Sequence, residues 1–156
     1  NGIENACEEG VLAGYKITDV KANFFDGKQH PVDSKDIAFQ IAGKKAFKDA
    51  FMNANPILLE PICNVEITIP NEYMGDVMGD ISTRRGKVEG METEGNFKVI
   101  KAQVPLEELY HYGTSLRSMT QGAGMYHREF SHYSKLPSEK QEEVVEQAQQ
   151  NKGDEE

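Results

Sequence analysis

The chain has 156 residues, 28% of them charged, and a formal net charge of −9. That length suits one medium domain or two small ones, and no apolar run approaches the roughly 20 residues a membrane span needs. Net acidity argues against a general nucleic-acid binder; the two cysteines, Cys7 and Cys63, form neither a disulfide framework nor a metal-ligand spacing and read as small packed side chains in a reduced, cytoplasmic compartment.

The charge is unevenly spread. From Glu139 to Glu156 there are seven acids and two lysines, a net −5 that leaves −4 for the rest and room for local basic surfaces. The polar opening "NGIENACEEG" has no secretory character and reads as the end of a helix closed by Gly10. In "VLAGYKITDVKANFFDG", Tyr15 and Ile17 alternate in one phase and Val20, Ala22 and Phe24 in the other, which predicts a bulged strand or one buried on both faces. Asp26-Gly27 is a turn. Asp33 or Ser34 can cap a following helix, in which Phe39, Gly43, Ala46/Phe47 and Ala50/Phe51 form the apolar stripe and Lys44, Lys45 and Lys48 a separate, solvated face. Pro56 ends it, and a domain boundary is expected near Pro61.

Alternation is cleaner beyond that point. Cys63, Val65, Ile67 and Ile69 predict a half-buried strand. Pro70 opens a helix with Met74, Val77, Met78 and Ile81 on one face and Gly86 as its stop. "KVEGM" is a strand, "ETEGN" a turn, and Ile100, Ala102 and Val104 mark the next strand. Pro105 opens a second helix with Leu106, Leu109, Gly113, Leu116 and Thr120 in one stripe, stopped at "TQGAG"; "MYHREFSHY" is the last strand. Strand–helix–strand twice over is the split βαβ of a ferredoxin-like fold. The halves echo each other: Pro70 and Pro105 each open a helix that a glycine, Gly86 or Gly122, closes 16 and 17 residues later. "PSEKQEEVVEQAQQ" is a final helix opened by Pro137 or Ser138, and "NKGDEE" is expected to fray. The shared core should hold Cys63, Val65, Ile67, Ile69, Val77, Ile81, Ile100, Ala102, Val104, Leu109 and Leu116.

No catalytic constellation is present. The phosphate-loop, HExxH and GxSxG patterns are missing; Lys44 follows Gly43, but inside a helical pattern and without the upstream glycine. None of His30, His111, His127 and His132 has a carboxylate at a triad or metal spacing, and His127 and His132, five apart in one strand, should face opposite sides. Arg84, Arg85 and Lys87 cluster at a helix end, either complementing its dipole or binding phosphate. "TQGAG" is either a plain loop or a place where a flat partner meets glycine backbone closely. His30 by itself is an exposed loop histidine.

Longer stretches carry more. "FDGKQHPVDSKDIAFQIAGKKAFKDAF", "ANPILLEPICNVEITIP", "EYMGDVMGDISTRRGKVEGME" and "LRSMTQGAG" resemble the C-terminal part of bacterial elongation factor G, from about Gly10 to Pro137. The resemblance implies an α+β chain. Residues 1–60 would be the later part of domain IV, a partial ribosomal-protein-S5-like domain. Residues 61–136 would be the ferredoxin-like βαββαβ domain V, and 137–156 a C-terminal helix and acidic tail packing back towards domain IV. It further implies a non-catalytic fragment whose parent binds and hydrolyses GTP, with no cofactor or metal in the fragment itself. The partner would be the ribosome, through rRNA of both subunits and the tRNA–mRNA in the A site, met by a cytoplasmic monomer with no membrane.

Residue by residue, His30 matches the histidine of the domain IV tip motif "DGSYHxVDSSExAF", so Gln29, His30 and Pro31 are the implied tRNA–mRNA contacts. Arg84, Arg85, Lys87, Gln121 and Gly122 are the rRNA candidates in domain V. Gln29 stands where the pattern has tyrosine, Lys35 and Asp36 where it has serine and glutamate, and Ala123 where "TQGRG" has arginine. "ELYHYGTSLRS" replaces "EMFGYATDLRS". These departures point to a divergent paralogue or lineage. The rivals are a ribosome-protection factor of the tetracycline-resistance type, for which the tip loop discriminates, and a ferredoxin-like regulatory module, which would require an apolar ligand pocket. A stand-alone hydrolase would require a nucleophile–base pattern.

Overall fold

Gly43, Phe47 and Phe51 recur at helical spacing, and the computed structural model, which describes residues 1–30 and 35–153, places them on helix α2, Asp36–Asn53. The chain divides into two compact units, Leu59–Lys135 and a unit made of Asn1–Leu58 with the segment returning from Leu136. In the latter, helix α1, Gly2–Glu9, packs against α2. Ala6 is fully buried and Phe47 nearly so, with the Phe51 ring 5.9 Å from that of Phe47. Lys44 departs from its expected place on a solvated face: it is half-buried, and its Nζ meets the Glu9 carboxylate at 2.5 Å, tying α2 to α1. Phe39 and Ile41 stay 46% and 50% exposed, so α2 buries a narrower stripe than its composition suggests. Lys35 occupies the N-cap without a side-chain bond; the expected caps Asp33 and Ser34 lie outside the described residues.

The strand expected across Tyr15–Phe24 does not form. From Val11 to His30 the backbone has no regular hydrogen-bonded structure, and Phe24 and Phe25 are 80% and 91% exposed. Alternation supplies a strand with a face but not with the neighbour whose N–H and C=O groups complete the ladder. The four strands among the described residues all lie in the other unit.

That unit runs β1 Leu59–Pro70, a 3₁₀ turn Asn71–Tyr73, α3 Met74–Thr83, β2 Lys87–Glu94, β3 Phe97–Pro105, a 3₁₀ turn Leu106–Leu109, α4 Tyr112–Met119 and β4 Met125–Lys135. The strands form one antiparallel sheet in the order β2-β3-β1-β4, and α3 and α4 cover one face: this is the ferredoxin-like arrangement. Every expected core residue falls in one buried cluster, joined by Tyr112. The prolines end strands as expected, but each opens a tight turn before its helix, because their fixed φ of −59° and −57° suits the turn entry. One long helical stripe from Leu106 to Thr120 therefore becomes a turn and a shorter helix.

Both helices end alike. At the end of α3, Arg85 takes the left-handed conformation at φ 56°, its N–H bonds the Ser82 carbonyl, and the Gly86 N–H reaches back to Ile81 at 2.8 Å. At the end of α4, Gln121 sits at φ 51° and the Gly122 N–H bonds Arg117 at 2.8 Å. This is the Schellman closure, with a side-chain-bearing residue in the place glycine usually takes. Gly86 is required for another reason: a Cβ there would lie 2.5 Å from Ile81 Cγ2 and 2.8 Å from the Ile81 carbonyl. Gly86→Ala is expected to cost about 1–3 kcal/mol by overpacking, read as a lowered denaturation midpoint; an unchanged midpoint would contradict the close approach.

Ser131 is an extra residue in β4. Ile62 pairs with His132 and Cys63 with Phe130, so the strand bulges. The bulge corrects the expected facing of the histidines. His127 pairs with Glu66 and His132 with Ile62, positions four apart on β1, so both histidines belong to the same face of the sheet, the one the helices leave uncovered. After β4 the chain re-enters the first unit. Leu136 N–H bonds Leu58 O, and helix α5, Ser138–Gly153, begins on the Pro137 carbonyl. Gln141 accepts the Leu58 N–H at 2.8 Å. The helix takes in Asn151–Gly153, the first half of the stretch expected to fray, and the other half, residues 154–156, lies outside the described residues.

Candidate functional site

Two surfaces carry the residues singled out from the sequence, one in each unit. In the first unit, the Gly27 N–H donates to Asp26 Oδ1 at 2.8 Å, a local turn bond that shapes the approach to Gln29 and His30. Both residues are exposed, as is every residue from Lys21 to His30. Pro31, the third of the set, lies outside the described residues.

In the second unit the basic cluster separates into inside and outside. Arg84 follows α3, and its guanidinium is spent internally. Nε donates to Asp80 at 2.7 Å, Nη1 to the Glu108 carbonyl at 2.6 Å and Nη2 to Ser115 Oγ at 3.0 Å, while the group sits 5.0 Å from the centre of the Tyr112 ring. Arg85 grips Glu60 with both terminal nitrogens at 2.8 Å and Glu108 through Nε at 2.9 Å. The Glu60 hydrogen bonds first, and those of Glu108 after them, lift the Arg85 pKa well above its ordinary value against the opposing cost of burial. Tyr112 is also raised, chiefly by burial and then by the Asp80 charge. Lys87, at the start of β2, is exposed and makes no ion pair among the described residues. Gln121 and Gly122 are exposed beyond α4, held by the cap described above, and Ala123 beside them is exposed too. Behind this loop Thr120 is fully buried; its Oγ1 donates to Leu116 O at 2.7 Å and accepts the Gly124 N–H at 2.8 Å, so the exposed turn stands on a fixed base.

The sequence reading missed a second pair of cations. The chain has four arginines, and the two that α3 does not consume, Arg117 on α4 and Arg128 on β4, are exposed and without ion pairs among the described residues. They line one cleft of about 300 Å³ with Tyr110, His111, Thr114 and Tyr126. Eleven residues of sequence separate them, so no local motif shows the pairing. The signal is the ladder register, which pairs Arg128 with Val65 and so sets it on the helix-covered face beside α4.

No group of three or more His, Cys, Asp or Glu side chains that could hold a metal occurs among the described residues, and none of their helices is long and apolar enough to cross a membrane. Comparison with known proteins gives the two units the same kind of answer. The family model for elongation factor G, domain IV, matches residues 1–55, and the model for the elongation factor G C-terminus matches residues 57–144. The chain is similar to elongation factor G of Aquifex pyrophilus, 51% identical over 144 residues that take in 92% of this chain and 21% of that protein. It is also similar to a solved chain from Thermus thermophilus, with a TM-score of 0.79 and 44% identity, over 96% of this chain and 23% of that one. It thus spans about a fifth of the length of the relative it matches. With consecutive family models covering almost all of it in the order found in the fold, the chain belongs to the elongation factor G family.

Proposed function

We propose that this chain is the ribosome-contacting C-terminal part of a translational GTPase that promotes tRNA–mRNA translocation during protein synthesis. The tandem match of domain IV and C-terminal models carries the reading. The first unit would place Gln29, His30 and Pro31 against the tRNA–mRNA in the A site. The second would contact large-subunit rRNA through Lys87, Gln121 and Gly122, exposed groups suited to backbone contacts that carry no sequence information. Arg84 and Arg85 would act one step back, by holding the α3–β2 turn that presents Lys87. GTP would be bound and hydrolysed elsewhere in the parent, and this part would take no share in bond chemistry. The acidic total is compatible with RNA binding because linked weak contacts gain from each other's effective concentration. The parent would work as a monomer in the cytoplasm. The regulatory-module rival requires an apolar pocket; the cleft at α4 is lined by arginines and a histidine.

The test is His30→Ala in the full-length parent. Translocation is expected to slow about tenfold, equivalent to about 1.4 kcal/mol of transition-state interaction. Ribosome-stimulated GTP hydrolysis should stay near normal, and stability within about 0.5 kcal/mol, as for other exposed positions. Normal translocation with a lowered melting temperature would make His30 a folding residue and overturn the assignment.

A further inference from the structure

We infer, resting on the reading of this chain as an RNA-contacting part of a translation factor, that the cleft between α4 and β4 binds one unpaired RNA nucleotide. Its phosphate would lie between Arg117 and Arg128, and its base on the Tyr110–His111 face. The arginines point to this first. Two of the chain's four are consumed inside the fold, and the two left unpaired among the described residues line the same cleft, although one comes from a helix and the other from a strand. α4 begins there without a side-chain cap, and its first residues, Tyr112, Gly113 and Thr114, form part of the lining. The partial positive charge of that helix end adds to the arginines.

The aromatic groups narrow the ligand from an anion to a nucleotide. Tyr110 is 76% exposed and contributes little to the core, and its ring centre lies 4.0 Å from that of His111. His111 itself is held left-handed at φ 56°, a conformation L side chains resist, at a position where the family pattern quoted above has glycine. An exposed aromatic pair beside arginines that are unpaired among the described residues is a surface on which an unstacked base can lie. Of the acidic side chains nearby, Glu108 is taken by Arg85, Glu107 of the same turn lies 3.9 Å from Arg85, and Glu129 belongs to the opposite face of the sheet, paired with Asn64. A cleft of about 300 Å³ is of the size of a single nucleotide.

The experiment uses the full 156-residue chain and a fluorescent RNA hairpin whose loop carries one unpaired purine, a matched hairpin with an abasic loop position, and a glutamate-rich peptide as competitor. Arg117→Gln and Arg128→Gln should each weaken hairpin binding about tenfold, and each should reduce the slope of log affinity against log salt by about 0.7. Tyr110→Ala should weaken binding of the purine hairpin about fivefold and leave the abasic hairpin unchanged. Lys101→Gln, which removes a cation already paired with Glu92, should change neither. All four positions are exposed, and circular dichroism of each variant checks that it folds. Absence of hairpin binding, equal binding by every variant, or peptide competition that is as strong as RNA and insensitive to Tyr110→Ala would overturn the nucleotide site. Cosedimentation of the parent with ribosomes separates the two readings. Normal association with no effect of the cleft variants on the hairpin removes the cleft alone; the expected hairpin results without ribosome association remove the translation reading and leave the site.

Discussion

Replacing Arg85 by alanine is expected to destabilise the Leu59–Lys135 unit by about 3 kcal/mol, the scale for removing one partner of a largely buried ion pair. The guanidinium holds three elements at once: Glu60 of β1 through a two-pronged bond, Glu108 of the turn before α4, and its own α3–β2 connection. Glu60 is 9% exposed, and without Arg85 its carboxylate would be left without that partner in a site that water barely reaches. Two further substitutions separate the causes. Arg85→Gly also loses the guanidinium but fits the left-handed backbone, so it should be about 1 kcal/mol more stable than Arg85→Ala. Arg85→Lys keeps the charge and loses the planar fork, and should fall between wild type and alanine. Denaturant midpoints of the three variants decide the matter; a loss below about 0.5 kcal/mol for alanine would mark the network as a solvated ornament.

The same network sets a pH expectation. Its folded-state pKa is raised, so the stability Arg85 contributes is fully present below its unfolded value and is lost only as pH rises through the folded one. The unfolded value already lies in the strongly basic range ordinary for arginine. The difference between wild type and Arg85→Ala should therefore stay constant on titration from neutrality to about pH 11. A difference that collapsed in that interval would show that the group holding Glu60 is not the arginine.

What the sequence made legible follows from where the physics is local. In β1 and β3 an apolar residue at every second position suffices to assign the buried face, and Val65, Ile67, Ile100 and Ala102 are buried as their spacing requires. Glycine punctuation located the ends of both helices of this unit, whereas each proline opens a 3₁₀ turn, so α4 begins at Tyr112 rather than beside Pro105. Three features depended on distant chain. Tyr15–Phe24 has a strand's alternation but no ladder partner among the described residues of its unit. His127 and His132 share a face because one residue, Ser131, is inserted in a register that only the pairing with β1 defines. From their own neighbours Arg84 and Arg85 read as either a complement to the helix dipole or a phosphate site; the acids that hold Arg85, Glu60 and Glu108, stand 25 and 23 residues away from it along the chain. The cationic surface moved correspondingly to Arg117 and Arg128, which no motif joins.

Ile67→Ala is expected to cost about 2–5 kcal/mol, the range for truncating a buried aliphatic side chain. Ile67 is fully buried at the middle of β1, an inner strand, paired with Ile100 of β3 on one side and Tyr126 of β4 on the other. The cluster it belongs to includes Val77 and Ile81 of α3 and Leu116 of α4. A cavity there is bounded by backbone ladders on two sides and helices above, so little can move in to fill it, which favours the upper part of the range. In a unit of this size each kcal/mol lowers the melting temperature by roughly 4–8 °C. Ile67→Val removes one methylene-sized group and should cost about 0.5–1.5 kcal/mol. Glu66→Ala, one residue away on the opposite face and exposed, should stay within about 0.5 kcal/mol. The contrast between adjacent positions is the signature of a strand with one covered face. Equal losses at Glu66 and Ile67 would mean that both faces of β1 are buried, and two helices on one side of the sheet could not then be the whole of its packing.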